Sequence, residues 1–171
     1  MIGRLVIEYN GGNSRATVFR PSYIFSNSLI AGLYEHRFKG EPFVSFEEIN
    51  HGFSAIELIV NNNLPDWRVA LSSVSGVYLI SDRSSGKQYV GSASGALGIW
   101  GRWQTYIDTF HGTNEDLVEL FNDKSESYFR KNFVFSILEV IPLSRSQDEV
   151  LQKEDLWKRK LFTRVHGYNR N

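Results

Sequence analysis

The stretch "GVYLISDRSSGKQYVGSA", Gly76 to Ala93, constrains the fold more than any other part of the chain. Two short apolar runs, each carrying a tyrosine, flank a polar centre that ends in Gly86. That is the pattern of a β-hairpin. An even-length turn, such as Arg83 to Gly86, sets Ile80 opposite Tyr89. It also leaves Tyr78 on the same face as Tyr89, diagonal to it at roughly 7–8 Å. An odd-length turn sends the two phenols to opposite faces. The residues alone leave both registers open.

Downstream, Ile99, Trp100, Trp103, Ile107 and Phe110 fall at helical spacing, so "GIWGRWQTYIDTF" is expected to be a helix. Thr113 and Asp116 resemble a capping box ahead of a short helix, "EDLVELF". "FVFSILEVI" is expected to be a strand buried on both faces, ended by Pro142. "SQDEVLQKEDLWKRKLF" is the last long helix. The order β-β-α-α-β-α with a central strand implies an α+β sandwich.

The first 75 residues read differently. "RLVIEY" and "RATVF" are expected strands around the turn "NGGN", and "LIAGLYEHRF" and "FVSFEEI" two more. "SAIELIVNN" and "DWRVALSSV" are expected short helices, with Asp66 as the N-cap of the second. This divides the chain into a small β-rich module with helical connectors over residues 1–75 and a second domain over 76–171.

Charge gives no overall bias towards a polyanion. Nineteen basic side chains balance nineteen acidic ones, and residues 76–171 carry 13 and 12. A phosphate site must therefore come from local clustering or a metal ion. The chain has no cysteine, which removes disulfides and thiolate metal sites. No apolar run reaches the roughly 20 residues that span a bilayer, and the start lacks a signal-peptide core. A soluble cytoplasmic protein with no membrane partner is expected.

Three constellations carry chemistry. Arg102 and Tyr106 are four apart and share a helix face, a pairing suited to phosphate. Glu154 falls within the apolar arc of Val150, Leu151, Trp157 and Leu161, where a carboxylate needs a buried cationic partner or a bound cation. Gln152, Lys153, Asp155 and Lys158 to Lys160 lie outside that arc or on its edge. "GALGIWG" lacks the phosphate-loop pattern, so its glycines serve a tight entry into the helix. His111 stands alone in a loop.

Together these residues resemble the GIY-YIG nuclease family. Its two-part motif stands here as Gly76-Val77-Tyr78 and Tyr89-Val90-Gly91, with Val for Ile in both halves. The family's helix arginine matches Arg102, the phenol one turn on Tyr106, the metal-binding glutamate Glu154 and the terminal asparagine Asn169. The resemblance spans residues 76 to 170 and is similar in style to the cleavage domains of phage-type homing endonucleases. The loop from Gly91 to Arg102 is longer than in short family members, and no role transfers to His111.

The resemblance implies a three-stranded antiparallel sheet and hydrolysis of DNA with one Mg2+ or Mn2+ ion per site. Glu154 would hold the ion and Arg102 the phosphate. Tyr78 would be the general base, Tyr89 and Tyr106 would align phosphate and water, and Asn169 would brace the last helix. Residues 1–75 would serve DNA binding or a homodimer, since one site per chain faces two strands. A restriction-like, mobile-element or phage-defence enzyme fits. A structure-specific repair nuclease, an RNA-directed nuclease and a catalytically weak nucleic-acid-binding module share the motif.

Overall fold

The computed structural model describes residues 5–9, 28–33 and 40–170. The chain divides into two compact units, 1–39 and 40–171. In the first, strands β1 (Leu5–Tyr9) and β2 (Ser28–Leu33) pair antiparallel, with an irregularity between Val6 and Ile7. The expected strand "RATVF" lies outside the described residues.

The second unit begins 36 residues earlier than the boundary expected at residue 76. The reason is packing. Helices α1 (Phe53–Asn61) and α2 (Pro65–Ser72) bury Phe53, Ile56, Ile59, Trp67 and Leu71 in the same core as Tyr78 and Tyr89. They belong to the domain that holds the motif and do not connect it to another.

A four-stranded antiparallel sheet organises this unit, in the order β3-β6-β4-β5. The expected strands are β4 (Val74–Asp82), β5 (Gln88–Ala93) and β6 (Phe133–Pro142). A short fourth, β3 (Asn50–Gly52), borders β6. On one face, Tyr78, Ile80, Tyr89, Ala93, Phe133 and Phe135 pack under α1, α2 and the helices α3 (Gly98–Thr109), α4 (Glu115–Asp123) and α5 (Glu126–Asn132). On the other, Val77, Val90 and Ile141 meet Val150 of α6 (Gln147–Lys160). A single turn, α7 (Thr163–His166), leads to the C-terminal residues.

Local details depart from expectation for identifiable reasons. "FVSFEEI" forms an irregular segment ending in a turn, because Phe43 and Phe46 leave it to pack edge-on with each other and Phe43 also meets Trp67. Asp66 lies inside α2, whose N-cap is Leu64 with Pro65 as first helical residue. Its carboxylate accepts the Phe43 amide at 2.7 Å. Asn114 and not Thr113 caps α4, accepting from the Leu117 amide at 3.0 Å. β6 is an inner strand, yet only Phe133–Phe135 are buried on both faces. Further along, Glu139 faces α6 and accepts from the Trp157 indole at 2.9 Å.

The hairpin turn has the even length. The Asp82 amide donates to Lys87 at 2.9 Å around Arg83–Gly86, and Gly86 takes a φ of 74°. Asp82 is buried, and its carboxylate accepts from the Ser84 amide and the Ser85, Tyr128 and Tyr168 hydroxyls. Register follows: Ile80 faces Tyr89, and Tyr78 faces Gly91.

Candidate active site

Tyr78 and Tyr89 lie on one face of the sheet, as the even turn requires. Tyr78 stands opposite Gly91, and a Cβ there would come 2.4 Å from the Tyr78 hydroxyl. Gly91 is therefore the space into which the phenol lies. Helix α3 supplies the partners. Arg102 Nε donates to the Tyr78 hydroxyl at 3.1 Å, and its guanidinium sits 5.2 Å from the Tyr106 ring centre. The Tyr78 hydroxyl donates to the Tyr106 oxygen at 3.2 Å. Tyr89 leans on Tyr106 with ring centres 6.2 Å apart.

Burial separates the three phenols. Tyr78 and Tyr106 are 0% exposed and Tyr89 is 7% exposed. Burial pushes the Tyr78 phenol well above its usual pKa, helped by Tyr89 and only partly opposed by Arg102. Tyr106 is raised for the same leading reason. Both are neutral hydrogen-bonding groups at ordinary pH. For Arg102, burial favours the neutral form, but the surrounding phenol oxygens outweigh it and keep the cation.

Glu154 approaches from the other side of the sheet. Ser92 alternates to that face, and its hydroxyl donates to one Glu154 oxygen. The other oxygen lies 2.6 Å from Lys158 Nζ, with side-chain exposures of 12% for Glu154 and 6% for Lys158. The buried partner that a carboxylate on this stripe demands is thus a lysine one turn on. Lys158 is accordingly inside the buried stripe, not at its edge, whereas Leu151 is 47% exposed. The helix is rotated so that Val150, Glu154 and Lys158 face the sheet.

A cavity of about 400 Å3 joins the two faces at the end of β5. Arg102 and Thr105 line one wall, Gln147 and Leu151 another, and Ser92 lies between. A larger cavity of about 550 Å3, between β6 and α6, holds none of the expected site residues. Asn169 lies behind β5, where its amide group accepts from the Val90 N–H and donates to the Val90 carbonyl, both at 2.9 Å. His111 serves its own turn, accepting from the Thr113 amide at 3.0 Å.

Among the described residues no group of three or more His, Cys, Asp or Glu side chains could hold a metal. The donors that are present are one carboxylate and one hydroxyl, Glu154 and Ser92. Hard oxygen donors in small number fit Mg2+, which keeps several waters and takes ligands from a substrate. Sequence reasoning missed Ser92 and Lys158. The signals were there: Ser92 follows Gly91 on the alternate face, and Lys158 is four residues after Glu154.

A strand phenol holding a helix arginine, a carboxylate on the last helix and an asparagine clamp on the edge strand are the parts that the resemblance to GIY-YIG nucleases calls for, and the chain is similar to named endonucleases over that region. No family model matches the chain. It is 32% identical over 95 residues to intron-associated endonuclease 1 of Enterobacteria phage T4, covering 56% of this chain and 36% of that protein. The chain thus spans about a third of its curated relative. Among solved structures it matches the catalytic domain of the homing endonuclease I-TevI at 30% identity, covering 56% of this chain and 96% of that domain, with a TM-score of 0.42. A variant of the same catalytic domain matches at 28% identity over 57% of this chain, with a TM-score of 0.46. No helix among the described residues is long and apolar enough to cross a membrane.

Proposed function

We propose that this domain is a DNA endonuclease that hydrolyses a phosphodiester bond with one Mg2+ or Mn2+ ion per site. The observation that carries the reading is the shared cavity. Arg102 lines it, and so does Ser92, whose hydroxyl binds Glu154. Arg102 faces this space directly, and Glu154 is linked to it through the Ser92 hydroxyl. The phage relative is an endonuclease, which supports the same reaction.

Arg102 spends Nε on Tyr78, which leaves its two terminal nitrogens to grip a phosphate and stabilise charge that develops on it. Tyr78 and Tyr106 hold that guanidinium in place. The sequence-based expectation gave Tyr78 the role of general base. Its burial and raised pKa favour a positioning role instead. Tyr89, the least covered of the three phenols, is better placed to orient the attacking water. Glu154, with Ser92, would hold the ion. When bound, the ion supplies Lewis-acid stabilisation of the phosphate and makes water a better nucleophile. Asn169 keeps β5 fixed beneath these groups.

Nicking of supercoiled plasmid with and without magnesium tests the reading. Glu154→Gln should abolish metal-dependent nicking without changing the fold. If it cuts at the parent rate, the metal assignment fails. Digestion of a random-sequence DNA pool, followed by sequencing of the ends, distinguishes discrete targets from scattered ones. Discrete ends support a restriction-like or mobile-element enzyme.

A further inference from the structure

We propose that Lys158 is an internal counter-ion that occupies Glu154 in the metal-free protein and couples ion loading to the arrival of a phosphate. The proposal rests on the reading of Glu154 as the ion's ligand. Three observations carry it. Lys158 is almost fully buried, at 5% exposure, so its ammonium is shielded from bulk water. Its ammonium lies 2.6 Å from Glu154, and Ser92 takes the other carboxylate oxygen, so both oxygens are engaged. Lys158 sits one turn beyond Glu154 on the face that packs on Val77 and Val90, so it cannot swing far without leaving the interface.

Charge decides the consequence. Glu154 and Lys158 together are neutral. A divalent ion entering beside them meets a buried like charge, and like charges in a poorly solvated site repel strongly. A DNA phosphate on Arg102 adds the negative charge that offsets this repulsion. The ion should therefore bind weakly alone and more tightly once a phosphate is seated. Lys158 is a positioning residue in this scheme. With Ser92, it holds the carboxylate in place before the ion arrives.

The test is Mn2+ binding to the whole chain without DNA, followed by calorimetry and by water-proton relaxation, in the parent, Lys158→Met and Glu154→Gln. Lys158→Met should bind Mn2+ at least about tenfold more tightly than the parent, in the range by which groups around a metal's ligands change its affinity. Glu154→Gln should lose the site. If Glu154→Gln loses binding while Lys158→Met matches the parent or binds less, the counter-ion role is wrong. If Glu154→Gln binds as the parent does, the reading of Glu154 itself fails. Should Lys158→Met unfold without metal, Mn2+ should restore its cooperative melting. Failure of Mn2+ to restore either Lys158→Met or the gentler Lys158→Gln would also overturn the proposal.

Discussion

The Arg102 guanidinium donates to the Tyr78 hydroxyl across the boundary between helix α3 and strand β4, at 3.1 Å. One hydrogen bond thus ties the helix arginine to the first tyrosine of the hairpin motif. The Tyr106 ring beneath the guanidinium fixes its plane. Tyr78→Phe removes that bond but keeps the ring in its slot. DNA affinity should be nearly unchanged while single-turnover cleavage slows by about 10- to 100-fold, the effect of a loosened positioning group. An undiminished cleavage rate would mean that Tyr106 alone orients Arg102.

The buried phenols have a spectroscopic signature. Burial raises the pKa of Tyr78 and Tyr106 above that of a free phenol. A raised folded-state pKa contributes stability below the unfolded value, near 10, and that contribution is lost as pH rises past it. In an absorbance titration, Tyr78 and Tyr106 should stay silent while exposed tyrosines ionise, and should ionise only as the fold opens. Tyr78→Phe should leave the folded-state curve unchanged.

Gly91 is required by close approach. A Cβ there would lie 2.4 Å from the Tyr78 hydroxyl and 2.5 Å from its ring. Gly91→Ala must push the ring off Arg102 or part β4 from β5. Overpacking of this kind costs typically 1–3 kcal/mol, and about that loss should appear in urea unfolding. Tyr78→Phe in the same chain should recover part of it, because the phenyl ring lacks the atom that clashes most. Equal stability of Gly91→Ala and parent would show that the phenol has room to move.

Asn169 mimics a neighbouring strand, making both hydrogen bonds to the Val90 backbone at 2.9 Å. It is 2% exposed, so its loss leaves buried polar groups unsatisfied. Asn169→Ala should cost about 2–6 kcal/mol, from two such groups at roughly 1–3 kcal/mol each. Hydrogen exchange should quicken first at Val90 and its β5 neighbours. Protection lost elsewhere before β5 would contradict the clamp.

Much of this was legible because it depends on local periodicity. An even turn in "DRSSG" is enough to put Tyr78 and Tyr89 on one face, and the helical spacing from Ile99 to Phe110 places Arg102 beside Tyr106. What was hidden depended on three-dimensional neighbours. Lys158 looks like a surface residue until Glu154 creates a need for it. Residues 40–72 look like a separate module until Trp67 and Phe53 are seen in the common core. "FVSFEEI" has strand composition, but its aromatic side chains find partners in irregular backbone. The helix α5 carries no strong sequence signal beyond Phe129, which is fully buried beside Phe133.

Acid should loosen the domain at the hairpin. Burial alone would raise the Asp82 pKa, but hydrogen bonds from Ser85, Tyr128, Tyr168 and the Ser84 amide outweigh it, and the carboxyl sits below its ordinary value. A depressed folded-state pKa contributes stability that is full above the unfolded value, near 4, and is lost as pH falls through the folded one. These partners come from the turn, from α5 and from the C-terminal segment, so one protonation releases all three. Thermal unfolding should therefore show a falling melting temperature below about pH 4. In Asp82→Asn that acid limb should flatten, with lower stability at neutral pH than the parent. Because Asp82 sets the turn that aligns Tyr89, the same variant should also lose cleavage rate at neutral pH. A variant with parent stability at neutral pH and an unchanged acid limb would remove Asp82 from this role.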